Sequence, residues 1–176
     1  MPAETLTFLF TDIEGSTALF ERVGEIFTQS LELHHGILRR EVEAHDGRII
    51  RNTGDGVIAC FDKVHSAIFS AVAAQRALWS ETWPPETGPP RVRMGIHRGP
   101  VEFHEGDFRG LTMHHAARVM SAAHGMQILC SPAVEELLDA DSINARDLGL
   151  YRLKGIQQPF ACSKWCTGKS TRIFLR

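Results

Sequence analysis

The apolar residues of the chain follow two different spacings, which predict an alternation of strands and helices. Residues 5–11 form an apolar run rich in β-branched and aromatic side chains, and this composition predicts a buried strand that ends at Asp12. Over residues 27–45 and 65–79 the apolar positions recur three and four apart, as on one face of an amphipathic helix. The first half of the chain therefore contains both kinds of element.

Shorter segments complete this pattern. Further strands are predicted at residues 48–53, 57–61, 91–97, 101–104, 127–130, 149–153 and 160–165, and further helices at residues 113–123 and 132–138. Gly54, Asp55 and Gly56 separate two of these strands as a hairpin turn does, and a second hairpin is predicted around residues 98–100. Hairpins that alternate with helices predict an α+β fold, an α/β sandwich with a mainly antiparallel sheet and helices packed on it.

Composition narrows the class of protein. The chain has 176 residues, of which 43% are hydrophobic and 23% are charged, which suits one folded domain and excludes wholesale disorder. The domain is expected to span residues 1–167, with residues 168–176 as a basic C-terminal tail or linker. A net charge of −2 argues against a general nucleic-acid-binding protein.

The cysteines and the apolar runs bear on where the protein works. None of the four cysteines forms a C-x-x-C pair, which argues against a zinc site or a disulfide scaffold. Cys60 and Cys130 lie in apolar runs, as buried thiols do. No stretch approaches the roughly 20 apolar residues of a membrane span. We therefore expect a cytoplasmic protein with no membrane span in this chain.

Two aspartates lie where a compact sheet can bring strand ends together. Asp12 follows the first strand, and Asp55 lies in a hairpin turn. Like charges repel, so such a pair persists most easily around a divalent cation, and Mg²⁺ favours a few carboxylates together with substrate phosphates. The backbone of Glu14, Gly15, Ser16 and Thr17 at a helix start can cradle phosphate oxygens, and the hydroxyl of Ser16 or Thr17 can cap that helix. Taken singly, each aspartate also suits a purely structural role.

A second group of polar residues lies in the segment 106–120. Asp107 begins it, and His114 and Arg118 follow four positions apart, which puts both of them on one face of the predicted helix. An arginine directed at a phosphoryl group stabilises charge that develops in a transition state. The same spacing also fits an ordinary solvated helix face.

Five segments in chain order resemble the class III nucleotidyl cyclases, the family of adenylate and guanylate cyclases. They are residues 10–17 (FTDIEGST), 53–56 (TGDG), 94–99 (MGIHRG), 110–118 (GLTMHHAAR) and 153–155 (LKG) followed by Pro159. The resemblance runs from about residue 5 to residue 166 and identifies residues 1–167 as a cyclase catalytic domain. It implies a ferredoxin-like α/β core, a head-to-tail homodimer and catalytic sites at the dimer interface.

The resemblance also implies a metal site and a reaction. Asp12, Asp55 and the carbonyl of Ile13 would hold two Mg²⁺ or Mn²⁺ ions, one polarising the ribose 3′-hydroxyl and the other binding the polyphosphate. The 3′-oxygen would attack the α-phosphorus in line, and pyrophosphate would leave.

Three further residues acquire roles from the resemblance. Arg118 matches the arginine that stabilises the α-phosphoryl transition state, and Lys154 matches a lysine that holds the terminal phosphates. Both would reach a site whose metal ions belong to the partner subunit. Asp107 lies three residues before Gly110, where adenylate cyclases often have an aspartate that accepts a hydrogen bond from the adenine amino group. The match at Asp107 favours ATP as the substrate.

Two positions depart from the family pattern. Arg51 stands where the family usually has a lysine that reads the base, and His114 stands where an asparagine usually orients the ribose. Arg51 keeps the charge but is longer and forked, and His114 keeps one hydrogen bond. The sequence therefore predicts an adenylate cyclase, a phosphorus–oxygen lyase. It leaves two alternatives: a cyclase for GTP or another base, or a weakly active nucleotide-binding module that reports to a fused or separate regulatory or effector partner.

Overall fold

The structure, a computed structural model, describes residues 4–138, 145–151 and 160–165. Its strands are β1 (Glu4–Ile13), β2 (Arg48–Asn52), β3 (Val57–Phe61), β4 (Val92–His104), β5 (Asp107–Arg109), β6 (Ile128–Cys130), β7 (Ala145–Tyr151) and β8 (Phe160–Trp165). Its helices are α1 (Ser16–Val23), α2 (Glu25–Ala44), α3 (Val64–Ser80), α4 (Leu111–Ala122) and α5 (Pro132–Glu135). The strands form a sheet in the order β2-β3-β1-β4-β6-β8-β7, and β5 pairs with the end of β4.

This sheet confirms the predicted α+β sandwich. Every described strand pair is antiparallel except β4 with β6, which is parallel. Helices pack on both faces, with α2 and α3 on one face and α4 on the other. Among the described residues, no helix has the length and apolar character needed to cross a membrane.

Strand β1 lies in the middle of the sheet and is buried on both faces. Leu9 packs into the core shared with α2 and α3, whereas Phe8 packs into the core shared with α4. A strand covered on both faces has no polar face, which is the reason that its sequence is an apolar run rather than an alternation. The strand continues one residue past Asp12, to Ile13.

The predicted second hairpin around residues 98–100 is wrong, because β4 is one continuous strand. Gly99 and Pro100 pair in register with Leu6 and Thr5 of β1. Strand β6 pairs with β4 only up to Ile96, so beyond that point the other edge of β4 can accept a proline at no loss of a ladder hydrogen bond. The chain instead turns at residues 105 and 106, which have φ values of 52° and 85°.

Two further predictions differ in detail. Helix α5 ends at Glu135, three residues earlier than predicted. Helix α1 has Gly15 as its N-cap residue and no side-chain cap, so neither Ser16 nor Thr17 caps it. By contrast, the burial of Cys60 and Cys130 agrees with the sequence prediction.

Two side chains in the core, those of His34 and Ser70, have buried polar atoms without a hydrogen-bond partner among the described residues. His34 of α2 is fully buried, and neither of its ring nitrogens has a hydrogen-bond partner among the described residues. Burial, helped by the neighbouring His35, lowers the pKa of His34 to about 3. The folded protein therefore holds this imidazole neutral, although an unfolded chain protonates it below about pH 6.5.

We expect the free energy of unfolding to fall as the pH falls from about 6.5 towards 3, by up to about 1.4 kcal/mol per pH unit from His34 alone. The His34→Leu protein should be about 1–2 kcal/mol more stable at pH 5, because it leaves no unpaired nitrogen in the core, and its stability should depend less on pH. Urea unfolding at pH 7.5 and pH 5 measures both effects. His104→Leu, at an exposed histidine, is the control. Equal pH dependence in wild type and His34→Leu would contradict the prediction.

Candidate active site

The two aspartates predicted to bind metal meet where β1 ends beside the β2–β3 hairpin. The backbone N–H of Val57 donates to the Thr11 hydroxyl over 2.9 Å, and this bond joins the hairpin to β1. Gly56 lies so close to the backbone of β1 that a Cβ at this position would be 1.9 Å from the Thr11 carbonyl oxygen. This approach brings the Asp55 carboxyl close enough to Asp12 to raise the pKa of Asp12.

The electrostatics of Asp12 reflect a crowded, partly buried position. Burial is the main cause that raises the pKa of Asp12, and the nearby Asp55 carboxylate raises it further. Arg93 opposes both effects. It lies directly opposite Asp12 in the β1–β4 register, and its Nε donates to Asp12 Oδ2 over 2.9 Å while Nη2 donates to the same oxygen.

The first residue of α1, Ser16, contributes a hydroxyl to the pair. Ser16 Oγ donates to Oδ2 of Asp55, which explains why this hydroxyl does not cap α1. Gly15 has a φ of 76° and forms the N-cap of α1, and Thr17 is exposed. The start of α1 therefore lies against the aspartates, with its backbone free of a side-chain cap.

Glu14 fixes this loop to the neighbouring part of the fold. Its backbone N–H donates to the Arg91 carbonyl over 2.9 Å. Its carboxylate accepts from the Gly125 N–H over 3.1 Å and pairs with Arg91 Nε over 3.2 Å. The segment between Asp12 and α1 is therefore held on both sides, although the sequence pattern assigned no role to the Glu14 side chain.

The two residues predicted to read the base contact each other. Arg51 Nη2 of β2 forms an ion pair with Asp107 Oδ2 at the start of β5, and the side chains are 51% and 47% exposed. The other Asp107 oxygen accepts from the Phe108 N–H over 2.9 Å. Both groups therefore hold each other in place and retain exposed surface for a ligand.

Helix α4 carries His114 and Arg118 on its exposed side, as their spacing predicts. Its other side packs closely on β4, where a Cβ at Gly95 would lie 2.3 Å from the Met120 backbone nitrogen. In the described part of the chain, no hydrogen bond or ion pair joins His114 or Arg118 to the two aspartates. Lys154 lies outside the described residues.

The donor set suits a metal bound together with a substrate. Across the described residues, no group of three or more His, Cys, Asp or Glu side chains is placed to hold an ion. Asp12 and Asp55 supply two carboxylates, and Ile13 is the last residue of β1 beside them. Mg²⁺ typically takes one or two carboxylates and completes its shell with water and substrate phosphates, so the residues present fit such an ion.

Arg93 is the residue at this site that the sequence reasoning missed. The available signal was a charged residue between the apolar residues Val92 and Met94 of a predicted strand, because a buried charge requires an opposite charge. The sequence does not say which acid provides it.

Comparisons with known proteins agree with this fold. Residues 1–167 match the family described as the adenylate and guanylate cyclase catalytic domain. An uncharacterised protein of Mycobacterium tuberculosis is 29% identical over 164 residues, covering 90% of this chain and 54% of that protein. This chain therefore spans about half the length of that relative.

Two solved structures are similar along almost the whole chain. The adenylyl cyclase CyaB from P. aeruginosa has a TM-score of 0.80 at 25% identity, covering 97% of this chain and 96% of that one. The guanylate cyclase domain of RhGC from Catenaria anguillulae, in complex with GTP, has a TM-score of 0.83 at 16% identity, covering 94% and 98%. The second likeness concerns the fold alone.

Proposed function

The chain belongs to the class III adenylate and guanylate cyclase catalytic domain family, and from this premise we propose that it converts ATP to 3′,5′-cyclic AMP and pyrophosphate. The observation that carries the proposal is the meeting of Asp12 and Asp55 beside the start of α1. These carboxylates and the Ile13 carbonyl would hold two Mg²⁺ or Mn²⁺ ions. Such ions activate the ribose 3′-hydroxyl and neutralise the triphosphate.

The chain's own polar groups would bind and orient the substrate and stabilise the transition state. The backbone N–H groups of Gly15, Ser16 and Thr17 would bind phosphate oxygens, as helix starts do. Arg118 would stabilise the charge that develops on the α-phosphoryl group. His114 would orient the ribose, and Lys154 would hold the terminal phosphates.

The separation of the acidic and basic groups supports a head-to-tail homodimer. His114 and Arg118 point outward from α4 and make no described contact with the aspartates of their own chain. Leu111 of the same helix is 73% exposed and Phe103 of β4 is 53% exposed, and exposed large apolar side chains are typical of interaction surfaces. A partner subunit would cover these residues and bring its own aspartates to Arg118.

Asp107 supports adenine as the base, because a carboxylate accepts from the adenine amino group. The test incubates the purified chain with Mn²⁺ and ATP, GTP, CTP or UTP, and chromatographs the products. We expect cyclic AMP as the main product, and an ATP-over-GTP preference at least about tenfold smaller in Asp107→Asn, since an amide can donate where the carboxylate only accepts. Glu105→Gln, an exposed acid two residues away, is the control. The absence of any cyclic nucleotide would refute the proposal.

One contact favours GTP as a second candidate. Arg51 already occupies an Asp107 oxygen, and its remaining N–H groups can donate to a carbonyl oxygen such as that of guanine. A larger yield of cyclic GTP than of cyclic AMP would support this candidate. Saturable ATP binding without product would instead indicate a regulatory nucleotide-binding module.

The neighbouring domains and the cellular location of this domain are also proposals. A relative about twice as long suggests that the catalytic domain, residues 1–167, works beside fused regulatory or effector domains, with residues 168–176 as a tail or linker. The free, buried thiol of Cys60 suits a reducing cytoplasm.

A further inference from the structure

We propose that Arg93 is an internal counter-ion that competes with a divalent cation for Asp12 and thereby weakens metal binding at this site. The inference rests on the proposed metal role of Asp12 and Asp55. It assigns a function to a residue outside the motifs that carry the cyclase resemblance.

The position of Arg93 is fixed by the sheet. Strands β1 and β4 pair over ten residues, from Glu4 opposite Val101 to Ile13 opposite Val92. Asp12 and Arg93 are directly opposite each other within this ladder. The Arg93 backbone therefore cannot move away from Asp12 without breaking the central strand pair, and only its side chain can respond to a ligand.

The contact occupies a coordinating atom. Nε and Nη2 of Arg93 both donate to Oδ2 of Asp12, and a carboxylate oxygen that accepts two charged hydrogen bonds has less capacity for a cation. The Asp12 and Arg93 side chains are only 21% and 29% exposed, so solvent screens their charges incompletely. A dication on Asp12 would lie within a few ångströms of the guanidinium and be repelled by it.

The same contact stabilises the protein when no ion is bound. Asp12 and Asp55 repel each other, and Arg93 is the cation that offsets this repulsion. The guanidinium therefore offsets the negative charge of the two carboxylates, as a bound metal ion would. Removal of the Arg93 guanidinium should lower the stability of the metal-free protein. It should at the same time raise the affinity of the site for the ion.

The sign of the change in affinity separates this inference from a simpler role. If Arg93 only orients Asp12 for metal binding, its removal weakens the binding of the ion. If Arg93 competes with the ion, its removal strengthens the binding.

The test measures Mn²⁺ binding by the electron paramagnetic resonance signal of the free ion, without nucleotide. We expect Arg93→Met to bind Mn²⁺ at least about tenfold more tightly than wild type, and Arg93→Lys, which keeps the charge, to stay within about threefold. Arg98→Met is the matched control on β4, because Arg98 bonds to the Thr7 hydroxyl over 2.9 Å and the Asp62 carbonyl over 3.0 Å. Its affinity for Mn²⁺ should not change.

Thermal unfolding gives an independent readout. With EDTA, Arg93→Met should melt at a lower temperature than wild type, and Mn²⁺ should raise its melting temperature by more than it raises that of wild type. If Arg93→Met does not fold, Arg93→Gln, which keeps a neutral donor, should show the same two effects. A folded neutral variant with unchanged or weaker Mn²⁺ affinity would overturn the inference.

Asp12→Asn separates this inference from the proposed function. If Asp12→Asn binds Mn²⁺ as well as wild type does, the metal site itself is wrong and both proposals fail. If Asp12→Asn loses affinity while the neutral Arg93 variants gain none, only the competition by Arg93 is refuted.

Discussion

The Asp12→Ala and Arg118→Ala proteins are each expected to lose at least about 100-fold in cyclase activity, whereas their equimolar mixture regains about a quarter of the wild-type activity. The losses follow because Asp12 would hold the metal ions and Arg118 would stabilise the transition state. The recovery follows from the separation of the two residues, since no described contact joins them within one chain.

The expected fraction follows from counting sites. Random exchange makes half of the dimers mixed, and each mixed dimer has one intact site and one site with both substitutions. The experiment unfolds the two proteins together, refolds them, and measures cyclic nucleotide after the subunit exchange has been verified by mass-tagged chains. A mixture of Asp12→Ala with Asp55→Ala is the control and should recover nothing, because both substitutions affect the same half-site. Activity absent from the first mixture despite exchange would contradict the shared site.

The Gly56→Ala protein is expected to lose at least about 3 kcal/mol of stability, and what remains folded should bind Mn²⁺ poorly. A Cβ at this position would lie 1.9 Å from the Thr11 carbonyl oxygen and 2.7 Å from its carbonyl carbon. Both are backbone atoms of the central strand, so no side chain can rotate to relieve the overlap. The hairpin must move away from β1, which carries Asp55 away from Asp12.

Gly36→Ala is the matched control for this prediction. Gly36 lies in α2, and a Cβ there would meet no atom within 4 Å, so this substitution should be neutral or stabilise the protein by about 0.5–1 kcal/mol. Urea unfolding gives the stability of both variants, and the resonance signal of free Mn²⁺ gives their affinity for the ion. A Gly56→Ala protein as stable as wild type would show that the hairpin does not approach β1 this closely.

Much of the fold could be predicted because its signals are local. The run of apolar residues identified β1, the helical spacing identified α2 and α3, and Gly54, Asp55 and Gly56 identified the β2–β3 hairpin. The wrong prediction of a hairpin at residues 98–100 also came from a local signal. Gly99 and Pro100 carry a local turn signal, but pairing with β1 along the whole of β4 keeps these residues extended.

The candidate site likewise contains residues that local motifs identified and contacts that the sequence could not predict. The motifs picked out Asp12, Asp55, Asp107, His114 and Arg118, because each belongs to a short segment with a recognisable spacing. The contact between Arg51 and Asp107 spans 56 positions, and no spacing in the sequence predicts it. The anchoring of Glu14 by Gly125 spans 111 positions and was invisible for the same reason.

By itself, the sequence determined most of the elements, the fold class and the family of this protein, because hydrophobic period, turn chemistry and short motifs act over a few residues. Only the tertiary structure decided which charges meet. The register of β1 against β4 sets Arg93 on Asp12 across 81 positions, and the close approach at Gly56 sets Asp55 beside them. Ion pairs of this kind depend on which strands become neighbours and in which register, and that choice is made by the packing of the whole sheet.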